Sequence, residues 1–162
     1  MFTSINEGYQ PGIIGRITAL HADYYSRNWG FGQFFEAKVA GELAAFLNYY
    51  DSNRDGIWSV SHFGRIEGSI VIDGSHAADE GAHLRWFILA EHLKGKKLGD
   101  QLIQKALDFC RSAAYPKVFL WTFQGLNAAH HLYEKYGFRL EYQNEGSQWG
   151  RQVVEQKLIL HL

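Results

Sequence analysis

Apolar residues first recur at helical spacing. Ile13, Ile14, Ile17, Leu20, Tyr24 and Tyr25 predict a helix to about Arg27. Gln10-Pro11-Gly12 reads as its start, with Pro11 at the first helical position, and Gly30 and Gly32 break it. Phe34, Phe35, Val39, Leu43, Phe46 and Leu47 predict a second helix over residues 33–50. Residues 3–9 read as a short edge strand before both. From Ile57 the period drops to two. It predicts a strand to Phe63, a tight turn at Gly64-Arg65 and a second strand over 66–73. After a polar connection over 74–82, the apolar run Leu84–Ala90 predicts a buried strand. A polar elbow, 91–97, leads into a helix with Leu98, Leu102, Ile103, Ala106, Phe109, Cys110 and Ala113 on one side. Pro116 ends that stretch, and 118–123 is again a buried strand. Asn127 reads as the N-cap of a helix to Tyr136 that Gly137 stops in a left-handed turn. Residues 138–145 and 149–160 close the chain as a hairpin around Gly146-Ser147. The order β, α, α, three strands, α, β, α, two strands predicts a mixed sheet with helices on both sides.

The elbow changes this from an architecture into chemistry. Its three lysines and Gly95 stand between a buried strand and a helix start. The first turn of a helix has N–H donors without partners and a partial positive charge, so it accepts phosphate. The expectation is a phosphate-bearing cofactor on residues 94–99; the plain alternative is a solvated lysine run.

Length and charge bound the rest. The 162 residues make one domain, 1–162, large enough for a core without staples. A formal net charge of -1 offers no basic field for nucleic acid or anionic lipid. No apolar run approaches membrane-spanning length, and MFTSINEGYQ lacks a signal-peptide layout, so a cytoplasmic protein is expected. Asp51-Ser52-Asn53-Arg54-Asp55-Gly56 opens like a calcium loop, but His62 stands where the bidentate Glu is needed, which favours a polar turn. The single cysteine, Cys110, reads as packing, and His21, His130 and His131 are too scattered for a metal site.

Two segments resemble the GNAT (GCN5-related) N-acetyltransferases. Lys94-Gly95-Lys96-Lys97-Leu98-Gly99 occupies the frame of that family's R/Q-x-x-G-x-G/A cofactor elbow. Leu132-Tyr133-Glu134-Lys135-Tyr136-Gly137-Phe138 matches its L-Y-E-K-x-G-F helix end. The stretches YYSRNWGFGQFFEAKVA, HLRWFIL and LWTFQGLNAAHHLYEKYGFRL are similar to GNAT domains fused behind MarR-type regulators, here without room for the DNA-binding module. There are departures. Lys97 replaces the middle glycine, Lys94 gives up an arginine's bidentate fork, and Leu126 sits where an asparagine is expected, with Asn127 one residue later.

The resemblance implies an α/β GNAT fold, about seven strands flanked by about four helices. It implies acetyl-CoA as cofactor and direct attack of an amine on the thioester. Phe87, Ile88 and Leu89 would hold the pantetheine and thioester, and Lys94, Gly95, Lys96, Lys97, Leu98, Gly99 and Asp100 the phosphates. Asn127 joins the cofactor set secondarily, being first a cap. Tyr133 would protonate the departing thiolate, against the alternative of an aromatic packing under the last hairpin. The two nearby strands carry no carboxylate, which leaves Glu80 and His83 as bases, or a water chain. The acceptor pocket is expected from the first two helices and the segment Tyr24, Tyr25, Trp29, Phe31, Phe34 and Phe35, with Glu36 as the candidate amine partner. The acceptor is a small-molecule or peptide amine, a homodimer is open, and the rival reading is a non-catalytic acyl-CoA-binding or interaction module.

Overall fold

The computed structural model describes residues 2–162. Its elements are β1 (Thr3–Glu7), α1 (Ile13–Trp29), α2 (Gln33–Asn48), β2 (Gly56–His62), β3 (Arg65–Asp73), β4 (Ala82–Leu89), a 3-10 turn (Glu91–Leu93), α3 (Leu98–Ser112), β5 (Lys117–Phe123), α4 (Asn127–Lys135), β6 (Arg139–Gly146) and β7 (Val153–His161). The strands form one seven-stranded mixed sheet, ordered β1-β2-β3-β4-β5-β7-β6. This is the mixed-sheet, four-helix architecture that the periodicities predict.

The two faces of the sheet bury different clusters. Against one, α3 presents Leu102, Ile103, Ala106, Leu107 and Cys110, all at most 1% exposed, to Val60, Ile70, Ile72 and Leu84. Against the other, Ile13 and Ile17 of α1 and Leu43 and Phe46 of α2 pack with Ile57 and Val71. A third, aromatic cluster of Phe31, Phe35, Val39 and Phe123 lies where α1 and α2 meet the end of β5. Burial pushes the Cys110 thiol up to about 12, so it stays protonated as packing.

Several boundaries move for local reasons. Gly12, in the left-handed region, is the N-cap of α1, so the helix begins after Pro11 rather than on it. The β2–β3 turn is Phe63-Gly64, one residue earlier than expected, with both residues at positive φ as a two-residue primed turn requires. Asp55, 1% exposed, accepts from the N–H groups of Asp51 and Gly74 and the side chain of Arg54, so the Asp-rich segment is a braced turn. Asn127 does not cap α4. Leu126 holds the cap position, no side chain bonds there, and Asn127 is the first helical residue.

The sheet opens at its middle. β4 and β5 pair in parallel through only Ala82–Val118 and His83–Phe119, after which both continue unpaired with one another. The cause lies in β4, which carries one extra residue against β3. Val71 faces Arg85, but Ser69 faces Ile88. At this bulge Trp86 adopts φ 44°, and its carbonyl accepts a 2.7 Å bond from the Ser69 hydroxyl. A bulge bends its strand and sharpens its twist, turning the rest of β4 away from β5 while β3 stays bonded.

Candidate active site

The gap between β4 and β5 holds two cavities that share a wall. The first, of about 470 Å3, is bordered by Phe87, Ile88 and Leu89, by Lys94, Gly95 and residues 97–100 of the elbow, and by Asn127, Ala128, Ala129 and Leu132 of α4. The second, of about 330 Å3, lies between the divergent strands under α1, α2, α4 and the β6–β7 loop. Tyr25, Phe87, Leu126 and Ala129 border both.

Backbone builds the first cavity. Ala90 donates to the Glu67 carbonyl at 2.8 Å, so by strand alternation the N–H groups of Leu89 and Phe87 point away from β3, into the gap. In α3 the first turn closes from Gln101 N–H to the Lys97 carbonyl at 3.1 Å. The N–H groups of Leu98, Gly99 and Asp100 therefore have no helical acceptor, an arrangement whose chemistry suits an anion. A Cβ on Gly99 would lie 3.4 Å from Leu132 and 3.7 Å from Phe87, so glycine keeps this turn close to both neighbours without filling it. Lys97, where the family's middle glycine is expected, takes a glycine-like φ of 62°.

The elbow's side chains divide their duties. Lys94 and Lys97 border the cavity, with Lys94 paired to Glu91 at 3.1 Å and 5.0 Å above the Tyr24 ring. Lys96 is exposed and outside the lining. Asp100 turns its carboxylate to Lys135 (2.6 Å) and Tyr136 (2.9 Å), which hold it below the usual carboxylate range. Its side chain clasps α3 to α4, which leaves its N–H among the groups without a partner in the first turn.

Side chains build the second cavity. Tyr133 lines it, 7% exposed, its ring 6.1 Å from Phe87 and 5.8 Å from Phe138. The helix end fixes it there. Phe138 N–H bonds the Tyr133 carbonyl and Gly137 N–H that of Glu134, both at 3.0 Å, with Gly137 left-handed at φ 96°. Burial pushes the Tyr133 hydroxyl well above its ordinary pKa, so it keeps its proton at neutral pH. His83 also lines the cavity, stacked 4.4 Å from Phe119; burial, then the nearby Arg85 charge, lowers it to about 3. Its imidazole is therefore neutral.

Other predicted residues fall elsewhere. Glu80 is exposed in the turn before β4 and borders neither cavity. None of Tyr24, Trp29, Phe31 and Glu36 lines the second cavity. Tyr24 borders the first, and Trp29 packs edge-on against Phe123 at 4.8 Å behind the wall. Phe31 and Glu36 face a groove between α1 and α2 on the outer side. Of the expected aromatics, Tyr25 and Phe35 do line it, joined by His21, Lys38, Val39 and Glu42. Their signal was the helical interval: His21 and Tyr25 are four apart, and 35, 38, 39 and 42 form one stripe of α2. His21 is buried, and its Nδ1–H donates to the Ile17 carbonyl at 2.8 Å, leaving Nε2 as the acceptor; burial lowers its pKa to about 4. Glu42 is the one carboxylate in the wall among the described residues, and it is ion-paired to Arg85 and, at 2.6 Å, to Lys38.

Among the described residues no group of three or more His, Cys, Asp or Glu is placed to hold a metal ion, and no helix is long and apolar enough to cross a membrane. The family model described as "Acetyltransferase (GNAT) family" matches residues 9–138. The Xenopus tropicalis protein described as "Probable N-acetyltransferase camello" is 28% identical over 144 residues, covering 85% of this chain and 65% of that protein. The chain thus spans just under two thirds of the length of this curated relative. Among solved structures, yncA from Salmonella typhimurium with its cofactor acetyl-CoA superposes with a TM-score of 0.75 at 15% identity, covering 100% of this chain and 95% of that one. Spermidine N-acetyltransferase from Vibrio cholerae, in complex with CoA and spermine, gives 0.71 at 19% identity over 99% and 95%. These two likenesses establish the fold. With a family model spanning most of its length and a sheet that opens after two parallel pairs, the chain belongs to the GNAT acetyltransferase family.

Proposed function

We propose that the chain is an acetyl-CoA-dependent N-acetyltransferase acting by direct attack of an amine. The observation that carries the reading is the unpaired half of β4. It turns the N–H groups of Phe87 and Leu89 into a gap that joins the free N–H groups of the elbow to an aromatic-lined cavity. The residues fit the cofactor's chemistry. The free N–H groups of Leu98, Gly99 and Asp100, with Lys94 and Lys97 beside them, suit a pyrophosphate, and the strand edge suits an amide-bearing arm. Acetyl-CoA would supply an activated acyl carbon and a thiolate leaving group.

The chain's own residues supply the rest. A strand N–H facing the gap stabilises negative charge that develops on a carbonyl oxygen. Tyr133, protonated at neutral pH, donates its hydroxyl proton to sulfur as the carbon–sulfur bond breaks. The attacking nitrogen becomes acidic as its lone pair forms the new C–N bond, so even the weakly basic neutral His83 or a water can take its proton. That proton returns through solvent to the Tyr133 phenolate, and the balance is an amide and a free thiol. Glu80, outside both cavities, has no part in this scheme.

The test is thiol release from acetyl-CoA with a panel of amines, together with calorimetric binding of acetyl-CoA. Binding and amine-dependent release are expected. Binding with no release above background by any amine overturns the enzyme reading in favour of an acyl-CoA-binding module.

A further inference from the structure

The second cavity carries information about the acceptor itself. Its volume of about 330 Å3 is at the small end for ligand sites, which suits a compact molecule. Tyr25, Phe35, Trp86, Trp121, Phe123 and Trp149 surround it with aromatic rings. Such walls favour a flat apolar body through burial and ring–ring geometry.

The charges in the wall are uneven. Lys38 and Arg85 contribute two cations, and Glu42 the one carboxylate among the described residues, with one oxygen on each cation. His21 and His83 are neutral there. Outside the lining, Asp73 is a second ion-pair partner of Arg85, at 3.7 Å, so the charges of the cluster balance and neither carboxylate is left unengaged. A polyamine would lose hydration at several ammonium groups with nothing to replace it.

Arg85 is also held in place. Its guanidinium lies 4.1 Å from the Trp86 ring centroid, one nitrogen binds Glu42, and its side chain is 20% exposed. A planar fork fixed by stacking and by ion pairs to Glu42 and, at 3.7 Å, Asp73 has lost its rotamer freedom before any ligand arrives, and the N–H groups these partners do not engage match a carboxylate. Amine N–H groups need acceptors instead. The His21 Nε2 lone pair, set by the Nδ1–H bond to Ile17, is one in the same wall.

We infer that the acceptor is a small aromatic amine bearing a carboxylate, of the aromatic α-amino acid class, and that Arg85 reads the carboxylate. This rests on the N-acetyltransferase reading for its consequence but not for its measurement. Calorimetry on the full chain without acetyl-CoA should show L-tryptophan or L-phenylalanine binding at least about tenfold tighter than tryptamine, about 1.4 kcal/mol, and than spermidine. In thiol release, Arg85→Gln should raise KM for L-tryptophan about tenfold more than for tryptamine, as expected for one charge-assisted contact. Arg85→Lys should recover part of that difference, and thermal unfolding of each variant separates lost recognition from lost fold. Spermidine or tryptamine binding as tightly as the amino acids, no binding by either amino acid, or equal KM effects of Arg85→Gln on both amines overturns the proposal. Selective amino-acid binding without turnover sinks the enzyme reading and leaves the pocket assignment standing.

Discussion

The two cavities divide by what builds them. The elbow cavity is made of backbone: strand N–H groups at 87 and 89, and helix N–H groups at 98 to 100, within one continuous stretch of chain. The inner cavity is made of side chains from α1, α2, β4, β5, α4 and the β6–β7 loop. A backbone site needs a conformation, and conformation leaves a local mark such as Gly95, Gly99 or an apolar run ending in a polar elbow. A side-chain site needs a topology, and its members carry no shared local mark. The difference also separates tolerance. The elbow should absorb many side-chain changes that preserve its turn, while the inner wall should respond to each substitution by chemistry.

The largest expected effect lies where the cavities meet. Tyr133→Phe removes the proposed proton donor while keeping the ring that packs on Phe87 and Phe138. Turnover in thiol release should fall about 10²–10⁴-fold while acetyl-CoA binding by calorimetry stays within about twofold. A loss of affinity equal to the loss of rate would erase the distinction between a binding half and a chemical half. Next comes Gly99→Glu, which places a bulky anion on the proposed phosphate seat beside Leu132 and Phe87. It should weaken acetyl-CoA at least about tenfold with the inner cavity's ligand affinity retained, and unchanged cofactor affinity would remove the seat.

A third comparison is made by acid. His21 is lowered to about 4 in the folded chain against 6.5 when exposed. The unfolded chain therefore binds a proton first, and the stability held above pH 6.5 is lost as pH falls toward 4. His21→Gln should flatten that loss by about 3 kcal/mol at most, read from urea unfolding at pH 7 and pH 4; an unaltered pH slope contradicts it. The smallest effect belongs to the elbow. Lys97→Gly relieves a left-handed lysine and should raise stability by about 1 kcal/mol in the same assay, while reducing the salt dependence of acetyl-CoA binding. A lower midpoint at constant slope would show that Lys97 is held by contacts rather than strained.

The contrast explains what could be read from the sequence. Element order, the buried side of α3, and the elbow as a helix start follow from periodicity and punctuation, which are local. Lys97 departs from the family's glycine pattern in sequence, and its φ of 62° shows that the lysine holds a backbone geometry that favours glycine. Of the contiguous aromatic stretch expected at the acceptor pocket, only Tyr25 and Phe35 reach the inner cavity. Along a helix successive residues turn about 100°, so Tyr24 faces the elbow cavity while Tyr25 stands between both. Glu42 reaches the inner cavity and Glu36 does not, because Glu42 shares the helical stripe of Phe35 and Lys38. Gln148 and Trp149 reach the cavity because β7 inserts between β5 and β6, and no pattern in the hairpin itself announces that order.

The extra residue at Trp86 has a kinetic consequence. It is covalent, present in every folded molecule, and held by the Ser69 hydroxyl, so the parting of β4 from β5 does not wait for a ligand. Arrival of a cofactor then requires no strand to separate. The encounter should be a single-phase, concentration-proportional process, its rate set by diffusion and by the lysines at the mouth rather than by an isomerisation of the sheet.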